Sequence, residues 1–131
     1  MENGGEKQAF HHVPIMVREV TDLLWPQRGG VFVDGTLGGG GHSEAILQLL
    51  PGGSRLVGID RDETALRAAS DRLRPYLDRF TAIHGNFFRM KSLLFERGVL
   101  KADGILLDLG VSSYQFGEVV DVVLAFMTMF L

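Results

Sequence analysis

The stretch VFVDGTLGGGGHSEAI, Val31 to Ile46, decides the fold. Val31 to Val33 reads as a short buried strand, and the glycine run Gly38 to Gly41 separates it from a helix carrying Ala45, Ile46, Leu49 and Leu50. A strand that passes through glycines into a helix removes side chains where a ligand must approach backbone. The free amides at the helix start then favour an anionic or polar group. A plain structural turn uses glycine as well, so the loop must be read with its flanks.

Upstream, Pro14 opens a helix in which Met16, Val20, Leu23 and Leu24 fall at helical spacing, and Pro26 with Gly29 and Gly30 ends it. Downstream, Pro51, Gly52 and Gly53 stop the glycine-loop helix, and Arg55 to Ile59 forms a second strand. Asp62 then caps a helix with Leu66, Ala69 and Leu73 on one face. Phe80 to His84 is a third strand, Met90, Leu93 and Leu94 mark another helix, and Ile105 to Leu109 is a fourth strand. Strands alternating with helices predict an α/β domain with a parallel sheet. The run GILLDLGV, Gly104 to Val111, is apolar almost throughout and is expected inside the sheet, not at its edge.

The whole chain agrees with one such domain: 131 residues, 46% of them hydrophobic and 22% charged. The balance of 13 Lys and Arg against 16 Asp and Glu, a net charge of −3, argues against a general polyanion binder. With no cysteine there is neither a disulfide framework nor a thiolate metal site, and no metal is expected. The polar start MENGGEKQAFHH lacks the apolar stretch of a signal peptide and reads as a flexible arm over residues 1–12, so a cytoplasmic location is expected. The closing apolar run is interrupted by Asp121 and falls short of the roughly 20 residues that span a bilayer, so no membrane partner is expected.

Carboxylates recur at the strand ends. Asp60 follows Gly38 by 22 residues, close to the roughly 20 expected of an acid that accepts hydrogen bonds from ribose hydroxyls. That spacing points to a nucleoside ligand, against the plainer role of a turn residue. Asp34 ends the first strand as a turn, cap or site residue. Asp108 ends the fourth on the same carboxyl edge, where open α/β sheets bind ligands. Phe87 stands where an adenine ring could stack, while His84 reads as structural. Ser112 and Ser113 have no base and acid at a spacing that would make a nucleophile, which argues against a serine hydrolase.

With these residues assembled, the sequence resembles the MraW-type family of S-adenosylmethionine-dependent methyltransferases, which methylate the exocyclic amino group of a cytosine in 16S ribosomal RNA. The likeness runs through HVPIMVREV (His12 to Val20), VDGTLGGGGHS (Val33 to Ser43), GIDRD (Gly58 to Asp62), HGNF (His84 to Phe87) and DGILLDLGVSSYQF (Asp103 to Phe116). It implies a Rossmann-like class I methyltransferase fold, here with a partial parallel sheet of four strands. It also implies S-adenosyl-L-methionine as cofactor and 16S rRNA in the small ribosomal subunit as partner. Gly40, Gly41, His42, Asp60, Phe87, Asp108 and Gln115 would contact the cofactor, with Asp34 supported less directly. No catalytic base is assigned.

The resemblance places a methyltransferase domain at residues 13–116 and stops after Gln115. The family continues there with an RGFSF motif, whereas this chain reads GEVVDVVLAFMTMFL over 117–131. Val122 to Phe130 can be encoded so that a reading displaced by two bases spells GFSFHDDV, so a frame-shifted, truncated family sequence is expected, and the nucleotide sequence past codon 115 checks it. Truncation at the fourth strand would leave an unpaired, self-associating sheet edge. A non-catalytic cofactor-binding or interaction module is the alternative. A nicotinamide oxidoreductase fits less well, because four glycines and His42 depart from G-x-G-x-x-G.

Overall fold

The apolar segments Val31–Asp34 (β1), Arg55–Asp60 (β2), Phe80–His84 (β3) and Lys101–Ser113 (β4) lie parallel in the computed structural model, which describes residues 17–113 and 118–130, with side chains through 109. A fifth strand, Glu118–Phe130 (β5), runs antiparallel to β4, giving the spatial order β3-β2-β1-β4-β5. Among the described residues the α-helix Val17–Leu24 (α1) precedes β1, and Gly41–Leu49 (α2), Glu63–Arg72 (α3) and Met90–Phe95 (α4) connect the parallel strands.

The sheet separates two cores. On one face Phe32, Leu56, Phe80 and Leu106 pack under Val20 and Leu24 of α1, Ile46 and Leu47 of α2, and Ala69 and Leu73 at α3. On the other, Val33, Val57, Ile59, Ile83 and Ile105 meet Leu94 of α4, with Met90 and Leu93 alongside. Alternate residues of one strand thus serve opposite layers, as strand geometry requires. That is why β1 to β4 read as apolar runs.

Four expectations need correction. β4 is indeed interior, but its outer edge is not open: Lys101 pairs with Phe130, and the ladder runs to Ser113 opposite Glu118. Val119, Val120, Val122 and Val123 favour extended backbone, so the tail makes a strand. The same ladder lengthens β4 well past Ile105 to Leu109. On α2, Leu47 is buried and Leu49 exposed, because Ser43, Ile46, Leu47 and Leu50 form the inward stripe. On α1, Leu23 is likewise exposed, and Val20 and Leu24 carry the packing. Pro14 and Met16 lie outside the described residues.

Candidate functional site

The loop leaving β1 is stitched to both neighbouring strands. Gly35 N–H donates to the Leu106 carbonyl of β4 at 2.9 Å, and Leu37 N–H donates to the Ile59 carbonyl of β2 at 2.9 Å. Gly40 then turns at φ +88°, a left-handed conformation that glycine adopts without strain, and α2 begins. An added Cβ there would meet Ala69 and Leu73 only at ordinary van der Waals distance, so it is the positive φ that calls for glycine.

Asp34, Asp60 and Asp108 gather around this loop. Asp34 is 1% exposed, and its carboxylate accepts Ser43 Oγ at 2.8 Å and Thr36 N–H at 3.1 Å. Its pKa is raised to about 6, chiefly by burial and with a smaller push from the charges of Asp108 and Asp60, against the lowering effect of the Ser43 and Thr36 hydrogen bonds. Asp34 therefore braces the loop from beneath. Asp60 accepts Gly38 N–H at 2.8 Å on one oxygen and Asp62 N–H at 2.9 Å on the other. An ionised carboxylate has about four acceptor positions, so each oxygen keeps capacity for a ligand hydroxyl. The turn role and a ligand role are thus compatible.

Asp108 N–H donates to Thr36 Oγ1 at 2.6 Å, and its carboxylate stands 3.4 Å from Nε2 of the buried His42. Asn86 accepts Phe88 N–H at 3.0 Å and so shapes the turn that carries Phe87, whose ring centroid lies 4.4 Å from that of Phe88. His84 Nε2 lies 2.9 Å from the Arg61 carbonyl, a structural tie between the β2 and β3 ends.

A cavity of about 300 Å³ opens at this edge, lined by Gly35, Thr36, Asp60, Arg61, Asn86, Phe87, Phe88, Asp108 and Leu109. Of the sequence-predicted residues, Asp60, Phe87 and Asp108 share its wall. Gly40, Gly41 and His42 are not part of its lining: they form the start of α2, and only His42 is tied to the wall, through Asp108. Gln115 lies outside the described residues. Sequence reasoning missed Thr36 and Asn86; the polar residue inside each of the GTLGG and HGNF turns was the available signal. A larger cavity of about 420 Å³ runs along α4, but Arg89 and Lys91 are its charged residues and no strand-end carboxylate reaches it. Asp60 and Asp108 thus line the smaller one alone. Among the described residues no helix is long and apolar enough to cross a membrane, and no cluster of His, Asp and Glu is arranged to hold a metal.

The family model of the MraW methylase family matches residues 9–120. The chain belongs to that family. It is 48% identical over 110 residues to ribosomal RNA small subunit methyltransferase H of Heliobacterium modesticaldum, covering 83% of this chain and 35% of the relative. Against the protein of the same name from Trichlorobacter lovleyi it is 50% identical over 108 residues, covering 82% and 34%. This MraW-family chain thus spans about a third of the length of the curated relatives it matches. Among solved structures, the O-methyltransferase TomG of Streptomyces achromogenes, in complex with SAM, superposes with a TM-score of 0.61 at 15% identity, covering 71% of this chain and 54% of that one. That likeness is one of fold, and the fold is the Rossmann-like α/β fold of methyltransferases.

Proposed function

We propose that this chain is the S-adenosyl-L-methionine-binding part of a methyltransferase that acts in the cytoplasm on the exocyclic amino group of a cytosine in 16S rRNA of the small ribosomal subunit. The observation that carries the reading is the convergence of Asp60, Phe87 and Asp108 on one cavity beside a glycine loop, in a chain whose family match covers all of them. The residues present suit the ligand. Asp60 has acceptor capacity for ribose hydroxyls, the Phe87 ring offers an apolar face to adenine, and Asp108 offers a carboxylate to the cationic amino-acid end. By the family resemblance Gly40, Gly41, His42 and Gln115 would join them in contacting the cofactor.

Asp60, Phe87 and Asp108 would hold S-adenosyl-L-methionine, which when bound would supply an electrophilic methyl group for transfer to the cytosine amino nitrogen. The chain's own contribution is alignment: strand ends tied by the loop hold the carboxylates in fixed relation. Titration calorimetry of the chain with S-adenosylmethionine and S-adenosylhomocysteine tests the binding half. Radiolabelled methyl transfer to unmethylated small-subunit RNA, with the cytosine mapped, tests the substrate half. Absence of calorimetric binding overturns the reading.

A further inference from the structure

We propose that Thr36 is a positioning residue that holds Asp108 in place for the cofactor, a role resting on the cofactor site just assigned. The β1–β4 ladder runs to Asp34 opposite Leu106, and the Gly35 N–H to Leu106 bond extends it by one step. The 2.6 Å bond from Asp108 N–H to Thr36 Oγ1 carries the contact two residues further along β4, to the cavity wall itself. Thr36 is held in turn from below: its own N–H donates to Asp34 Oδ1 at 3.1 Å, and Asp34 Oδ2 accepts Ser43 Oγ of α2 at 2.8 Å. The chain of contacts Ser43, Asp34, Thr36, Asp108 therefore fixes where the Asp108 backbone sits relative to the loop and α2.

The hydroxyl is the essential group. It accepts the Asp108 N–H on one lone pair, which leaves its single proton available as a donor in the cavity wall. Serine can make the same bond, whereas valine keeps the shape and loses the acceptor.

The test uses this chain with Thr36→Val, Thr36→Ser, Asp108→Ala and the double variant Thr36→Val/Asp108→Ala. The probe is S-adenosylhomocysteine in calorimetry, with the Asp108 amide proton followed by NMR where the residue is retained. Thr36→Val is expected to shift the Asp108 amide resonance upfield and to weaken binding roughly tenfold, while Thr36→Ser restores both. In the Asp108→Ala background Thr36→Val should cost less than about twofold, the non-additivity that marks action through one group. An additive cycle, or an Asp108 amide that stays put in Thr36→Val, overturns the positioning role even when the wild type binds normally. A wild-type chain that takes up no S-adenosylhomocysteine overturns the cofactor reading and this role together.

Discussion

Asp34 ionises against the cost of its burial, since its pKa is raised from 3.8 to about 6 chiefly by desolvation. A folded-state pKa above the unfolded one means that the native chain binds the proton more tightly, so stability falls as pH rises from about 4 to about 6 and is lower by about 3 kcal/mol above that window. Asp34→Asn keeps an acceptor for Thr36 N–H and can donate to Ser43, so it should remove this slope. Urea unfolding of both proteins from pH 4 to 7 checks it, and parallel pH profiles would contradict it. Asp60 offers the complementary residue-scale prediction. Asp60→Ala removes charged hydrogen bonding to the ribose worth about 1.5 to 3 kcal/mol in all, so S-adenosylhomocysteine affinity should drop roughly ten- to a hundredfold by calorimetry. Asp34 and Asp60 were legible in the sequence because strand ends are local signals; Asp108 was legible as the acid in an apolar run, but it lies inside β4, which the pairing with β5 carries on to Ser113, and not at the strand's end. Thr36 was not, because its partner lies 72 residues away and only the pairing of β1 with β4 brings the two together.

Among the elements, α3 is the one whose boundary and site are physically joined. Asp62 caps it by accepting Thr64 N–H at 2.9 Å, and the Asp62 N–H donates to Asp60. Asp62→Ala should therefore lower stability by about 1 kcal/mol and loosen one of the bonds that orient Asp60. A melting curve reads the first effect and amide exchange at Asp62 the second; unchanged values for both would remove the cap from the account. The α3 cap, the α3 stripe and all four parallel strands could be read from residues alone. On α2 the sequence identifies Ile46 and Leu50 correctly but takes Leu49 for Leu47, since SEAILQLL offers leucines on two sides and only packing under Phe32 and Leu56 selects between them. β5 was invisible for a different reason: an apolar run without turn signals states no partner, and the pairing with β4 supplies it.

At the scale of the molecule, β5 moves the sheet's open edge outward by one strand without closing it. A long edge strand of sequence EVVDVVLAFMTMF, with Glu118 and Asp121 as its charges, is poorly protected against pairing with a second copy. The chain should therefore self-associate with rising concentration in light scattering, and lysines introduced at Val120 and Ala125 should lower the mass observed. A mass that stays monomeric across the concentration range would show the edge to be shielded. The two faces differ as well, α1, α2 and α3 covering one and α4 the other.

The bond between Thr36 and Asp108 also sets a clock for biosynthesis. The 72 residues that separate the two partners take about 4 to 14 s to translate at roughly 5 to 20 residues per second. Within that interval, once β2 has been made, the nascent glycine loop can be joined to it, yet one wall of its pocket has not been made. Uptake of a small molecule by this edge is thus postponed until β4 emerges, and the order of the strands in space, not their order along the chain, determines when the newborn polypeptide becomes competent to bind.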